Sequence, residues 1–199
     1  MSKKNTYIIS KRALFSVIAT ILSFIKIPLF FIPSFYKLEF SDALTLMSSL
    51  FLDPLLGVLV LLFKNILLIF LKGSQSFFIG EIANFILGLF FILPCSIVYK
   101  KNKTFRGLLW GLVLGLVLEG LASIFFNIYV FLPLYSKFLF IPIGDLIKVT
   151  SVINPFIKNY FTFIIFAIFP FNLLKYSCVC LFTVIIYKKL TFFVDNIFN

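Results

Sequence analysis

Histidine is absent from the 199 residues, and only seven acidic side chains stand against eighteen lysines and arginines. With no imidazole, the chain lacks the commonest general base and a principal zinc and haem ligand. The three cysteines, Cys95, Cys178 and Cys180, lie inside apolar runs and form no C-x-x-C, so they read as small packing residues. No metal site and no catalytic residue is expected. A G-x-x-x-x-G-K-[ST] loop is also missing, which leaves no cradle for nucleotide phosphates. Polarity itself is scarce: charged residues are 13%, hydrophobic residues 62%, and mean hydropathy is +1.14. A soluble domain of this length could not clothe itself in so few polar residues.

The apolar residues come in long blocks such as Phe77 to Tyr99 and Leu108 to Phe126. Backbone polar groups in lipid must be satisfied internally, which restricts such blocks to helices or a closed barrel. A barrel strand alternates apolar with polar residues, and these blocks do not. The expected fold class is an all-α membrane protein, multi-pass in the cell membrane, with the lipid bilayer as its surroundings. The net charge of +11 fits that reading without a nucleic-acid partner. Basic groups at Lys3, Lys4, Lys11 and Arg12, at Lys100, Lys101, Lys103 and Arg106, and at Lys188 and Lys189 each flank an apolar block. Cytoplasmic segments carry this bias and anionic lipid attracts it. No small-residue cleavage site follows the basic start, so the first apolar block reads as a retained helix.

Six spans are expected in a single transmembrane domain: residues 13–32, 43–52, 55–71, 77–99, 107–134 and 160–187. Asp53-Pro54 has the form of a helix start, Asp as N-cap and Pro in the first turn. Topology supports a break there. If the N-terminus is cytoplasmic, the basic loop at Lys100–Arg106 is cytoplasmic only when an even number of spans separates the two. Both termini then lie inside. The second span is short, about 15 Å for ten residues. Gly73-Ser74-Gln75-Ser76 reads as a turn, and residues 135–159 as a polar-dotted connection.

Ionisable residues at membrane depth are costly and by default functional. Lys64, Glu81, Glu119 and Lys175 are such residues, joined by the amides Asn65, Asn84, Asn127 and Asn172. Asn172 and Lys175, three apart, share a helix face. Pro170 just before them frees the carbonyl of Phe166. Gly107, Gly111, Gly115, Glu119, Ser123 and Asn127 recur every four residues, a stripe that drifts about 40° per step and cannot all face one neighbour. The division expected is glycines for close helix packing and Asn127 for a cavity. Ser16, Ala19, Thr20 and Ser23 make a smooth face on the first span, suited either to another membrane protein or to internal packing. A single small-molecule site in a helical bundle fits better than an ion channel, since no charge or carbonyl ring repeats, and better than a lipid-modifying enzyme, since no acid and base are visibly paired.

Four segments occur in a telling order: Lys37-Leu38-Glu39-Phe40-Ser41-Asp42, Gly80-Glu81-Ile82-Ala83-Asn84-Phe85, Asn127 with Leu132-Pro133-Leu134-Tyr135, and Pro170-Phe171-Asn172-Leu173-Leu174-Lys175. Together, across about Arg12 to Leu190, they resemble the riboflavin-specific S components of energy-coupling-factor (ECF) vitamin transporters. The resemblance implies six helices around a site open to the outside and capped by the loop after the first helix. It implies riboflavin as the transported ligand, with no cofactor, and delivery to a transmembrane coupling protein with two ATPase subunits. By the same resemblance the flavin ring meets Asn127, Asn172 and Lys175. The ribityl chain or cap involves Lys37, Leu38, Glu81 and Asn84, and the coupling protein meets Ser16, Ala19, Thr20 and Ser23. Glu39 stands where an aspartate is common, and the docking face is not strictly alanine. Riboflavin is uncharged, so Lys175 needs a counter-charge or dipoles, with Glu81 and Glu119 the candidates. An S component for another vitamin or a flavin analogue, such as FMN or roseoflavin, is the alternative.

Overall fold

The computed structural model describes residues 14–28, 37–74 and 76–198, with the side chains of Lys26, Pro28, Lys37 and residues 188–198 outside that description. The basic group at Lys3–Arg12, the last residues of the first expected span and Gln75 therefore lie outside the described residues, as do the side chains of Lys188 and Lys189.

Helix α1 runs over Leu14–Ser23. It stops well short of the expected end at residue 32, and the chain turns into a two-stranded antiparallel hairpin, β1 (Lys26–Pro28) with β2 (Lys37–Glu39). Two causes are local. Thr20 Oγ1 and Ser23 Oγ donate to the Ser16 and Thr20 carbonyls, at 2.7 and 2.6 Å, in the last turns. Pro28 in turn biases Ile27 towards extended backbone. Of the segment read as a capping loop, Lys37–Glu39 form a strand in register Ile27↔Leu38, and the chain passes through Phe40 into α2 (Ser41–Phe51).

The helix break expected at Asp53-Pro54 is present. Asp53 is extended, its side chain accepts the Leu55 N–H at 3.0 Å, and Pro54 opens α3 (Pro54–Lys72). Helix α4 (Ile79–Lys101) begins two residues later than its apolar run, because Phe77 and Phe78 hold φ of 49° and 66°. The hydroxyls of Ser74 and Ser76 accept the N–H groups of Phe78 and Gly80, doing the capping work instead.

Helix α5 (Phe105–Phe126), a π-helical turn (Asn127–Phe131) and α6 (Leu132–Leu139) form one continuous rod, Phe105–Leu139. The stretch expected to be a plain connection contains an amphipathic helix, α7 (Ile143–Ile153). A capping box at Asn159 and Thr162 then starts α8 (Tyr160–Phe163), which continues through a second π turn (Ile164–Ile168) into α9 (Phe169–Phe198). Each π turn ends two residues before a proline, Pro133 or Pro170. A missing proline N–H and its ring displace the i→i−4 ladder, and π turns recur beside functional residues.

Among the described residues, four helical stretches are long and apolar enough to cross a membrane: Pro54–Lys72, Ile79–Lys101, Phe105–Leu139 and Tyr160–Tyr187. Helices α1 and α2 are shorter. The main core joins α2, α3, α4, α5 and α9 through Leu46, Leu61, Phe91, Ile92, Leu108, Leu112, Tyr176 and Val179. Helices α4 and α5 make the closest pairing, as the glycine stripe implies: a Cβ on Gly111 would lie 2.6 Å from the Cys95 carbonyl oxygen, and one on Gly115 2.7 Å from that of Phe91.

Gly→Ala within a helix ordinarily gains about 1 kcal/mol. At Gly111 the methyl meets fixed backbone, and overpacking of about 1–3 kcal/mol reverses the sign. Gly111→Ala should therefore lower the thermal midpoint in detergent. Gly144→Ala, whose Cβ meets nothing within 4 Å, should leave it unchanged or raise it.

Candidate functional site

Helices α2, α3, α4 and α9 and strand β2 bring six charged or amide side chains into one largely buried cluster. Lys64, on α3, is fully buried. It donates to Asp42 Oδ1 at 2.6 Å, to Ser41 Oγ at 3.0 Å and to Glu39 Oε1 at 3.3 Å. Asp42 turns its second oxygen to Lys175 on α9, 2.8 Å away. Lys175 also donates to Asn84 Oδ1 at 2.6 Å, and the Asn84 amide nitrogen donates to Glu39 Oε1 at 3.0 Å and Asn65 Oδ1 at 3.3 Å. The chain of contacts closes on itself: Lys64, Asp42, Lys175, Asn84, Glu39 and back to Lys64.

Asp42 is the residue that the sequence reading missed, and it supplies the counter-charge sought for Lys175. Glu81 does not. Its carboxylate accepts from Ser74 and Ser76, at 2.9 and 3.4 Å, and belongs to the turn before α4. Glu119 is fully buried, with neither carboxylate oxygen hydrogen-bonded among the described residues, and it feels Lys175 only through space. A usable signal was present all the same: Glu39, Asp42, Lys64 and Lys175 are two acids and two bases in apolar surroundings, and buried charges survive there only as pairs.

A second polar group lies between α5 and α9. Asn172 donates to Ser123 Oγ at 2.8 Å and to the Ile168 carbonyl at 3.1 Å, while Asn127 donates to the Ser123 carbonyl at 2.8 Å. One serine thus holds both asparagines. The Tyr160 hydroxyl donates to the carbonyls of Ile128 and Asn127, at 2.6 and 3.3 Å, tying the start of the last spanning stretch to the first π turn. The Phe166 carbonyl, freed by Pro170, accepts from Asn154 Nδ2 at 3.5 Å. Asn172 and Lys175 do share an inward face, and both are buried.

The remaining expected positions divide. Leu38 packs with Leu132, Ile157, Phe163 and Ile164, closing the hairpin over the end of the bundle, whereas the Lys37 side chain lies outside the described residues. Ser16, Ala19, Thr20 and Ser23 are buried, and α1 instead exposes Leu14, Val17, Ile18 and Ile21. Of the two uses open to that small-residue face, internal packing is the one present in this conformation.

A buried, charge-compensated polar cluster within apolar spanning helices defines a membrane-embedded protein built around a polar site. A family model described as the substrate-specific component of ECF transporters matches residues 9–187. The chain belongs to that family. The riboflavin transporter RibU of Staphylococcus aureus (strain TCH60) is 30% identical over 186 residues, 93% of this chain and 90% of the relative. The riboflavin transporter FmnP of Bacillus subtilis (strain 168) is 32% identical over 82% of this chain and 80% of its own. RibU of Streptococcus thermophilus (strain ATCC BAA-250 / LMG 18311) is 28% identical over 86% and 76%. A solved S component of a bacterial ECF transporter superposes with a TM-score of 0.74 at 27% identity, covering 96% of this chain and 98% of that one.

Asp42→Asn should leave two buried lysines one counter-charge short, costing about 3–5 kcal/mol, read as a lower thermal midpoint in detergent. Adding Lys175→Met should recover part of the loss, because removing both members of a buried pair is far milder than removing one. A double variant no more stable than Asp42→Asn would show that the pair is not coupled.

Proposed function

We propose that the chain captures riboflavin within its helical bundle and delivers it through an ATP-driven module made of a transmembrane coupling protein and two ATPase subunits. The relatives' names and the family support that reading. On it, the chain is not an enzyme, and nucleotide hydrolysis is left to the partners. The proposed arrangement is one domain of six spans with both termini cytoplasmic, α1 and α2 being the two short ones.

The observation that carries the ligand assignment is the Lys175–Asp42 pair. A lone cation would suit an anionic ligand, but here both cations of the cluster are committed to carboxylates. Such a site suits an uncharged molecule with alternating hydrogen-bond donors and acceptors. The flavin's pyrimidine edge is one, carbonyl acceptors flanking an N–H. We assign that edge to Asn127, Asn172 and Lys175. Lys175 donates to a carbonyl or ring nitrogen, and Asn172 Oδ1, which accepts no hydrogen bond among the described residues, takes the N–H. Partly buried phenylalanines of α4 and α5, Phe85 and Phe126, offer apolar walls for the dimethylbenzene end. Asn84, Leu38, Lys37 and Glu81 are assigned to the ribityl side and cap, Glu81 acting through the turn it holds. FMN would bring a phosphate dianion, for which the cluster holds no uncommitted cation among the described side chains, so riboflavin is favoured over FMN. If Ser16, Ala19, Thr20 and Ser23 meet the coupling protein, α1 must first leave the neighbours that cover them.

Titration of the purified protein should quench flavin fluorescence with a one-to-one endpoint at micromolar concentrations, and no quenching would sink the assignment. Asn172→Ala and Lys175→Ala should each weaken binding about 10- to 100-fold, the scale of a hydrogen bond to a charged or buried polar group, while the protein stays monodisperse. FMN, thiamine and biotin should compete poorly. Strong competition by FMN would instead favour a flavin-phosphate carrier.

A further inference from the structure

The helix that the hydropathy pattern did not announce, α7, presents two unlike faces. Ile143, Leu146 and Ile147 pack towards Leu38, Ile157 and Phe163, and Thr150 is buried. On the other side Val149 is 66% exposed, Val152 85%, and Phe156, just past the helix, 71%. Exposed apolar side chains grouped in this way mark a contact surface.

Two observations say what covers it. The Phe156 ring lies 6.0 Å from that of Phe166 in the second π turn, itself exposed together with Phe161 and Ile165 along the last spanning stretch. The α7 face is therefore continuous with a surface that must face acyl chains. Around it stand the exposed lysines Lys137, Lys148 and Lys158, with Asp145 paired to Lys148 at 3.4 Å. Apolar residues on one flank, with lysines able to reach upward past them, are the pattern of a helix lying in the membrane interface.

We propose that α7 and the Phe156 turn form an interfacial element seated in the lipid leaflet on the hairpin side of the bundle. Asn154, at the end of α7, holds the Phe166 carbonyl, and that π turn leads to Asn172 and Lys175. The hairpin residue Leu38 belongs to the apolar cluster against which α7 packs. The lipid-seated helix thus braces both the cap and the inward face of the last span. This inference does not rest on which ligand the site takes.

The test uses the full chain in phosphatidylcholine vesicles without flavin, in a Trp110→Phe background that removes the single tryptophan. Val152→Trp should emit at shorter wavelength than a Lys103→Trp control in the exposed α4–α5 loop. It should lose more than about half its emission in lipid brominated at carbons 6 and 7, and less with bromine at carbons 11 and 12. Val149→Trp should behave alike and serves if Val152→Trp does not fold. Water-like emission at both positions overturns the proposal. So does short-wavelength emission without bromolipid quenching, which would mean that another part of this chain, a second copy or a partner protein covers the face. Flavin titration of the same variants separates failure here from failure of the vitamin assignment.

Discussion

Asp42 bridges two lysines, and much of the bundle hangs on that bridge. Its two oxygens lie 2.6 Å from Lys64 and 2.8 Å from Lys175, so one side chain at the first turn of α2 ties α3 to α9. In an apolar interior none of these three charges is tolerable alone; only the closed arrangement, completed by Glu39 and Asn84, makes their burial affordable. Helix α2 is too short to cross a bilayer by itself, and the ion pairs give it a fixed place among longer neighbours. The same bridge sets Lys175 beside Asn84 and one helical turn from Asn172.

Backbone irregularity and site chemistry coincide. Both π turns precede a proline by two residues. One carries Asn127, and the other ends four residues before Asn172. Each frees carbonyls that polar side chains then take, Tyr160 at the first and Asn154 at the second. The glycines of α5 complement this by letting α4 approach so closely that Asn84 on one helix and Ser123 on the other border the same interior. Packing and polarity are divided along a single helix, glycines towards its start and Glu119, Ser123 and Asn127 towards its end.

Much of the candidate site's buried polarity was legible in the chain itself. Asn127, Asn172 and Lys175 could be singled out because polar residues at membrane depth need a reason, and the structure buries all three. Other readings failed where a local rule met a longer-range demand. Hydropathy, with Pro33 as the stop, carries the first span to residue 32, yet Lys26–Pro28 pairs as a strand with Lys37–Glu39. Glu81 and Glu119 are the acids that membrane depth offers as partners for Lys175, but the Glu81 carboxylate is taken by the serines of its own turn.

The sequence by itself determined that the protein lives in a membrane, that its helices break at Asp53-Pro54, and that glycine permits close contact along α5. These properties depend on hydropathy and on hydrogen bonds spanning a few residues. Tertiary structure alone decided which acid neutralises which lysine, which face of α1 turns inward, and that residues 143–153 form a helix braced against the hairpin. Those outcomes depend on segments distant in the chain meeting in space, and in a low-dielectric interior the pairing that leaves no charge alone is the one that persists.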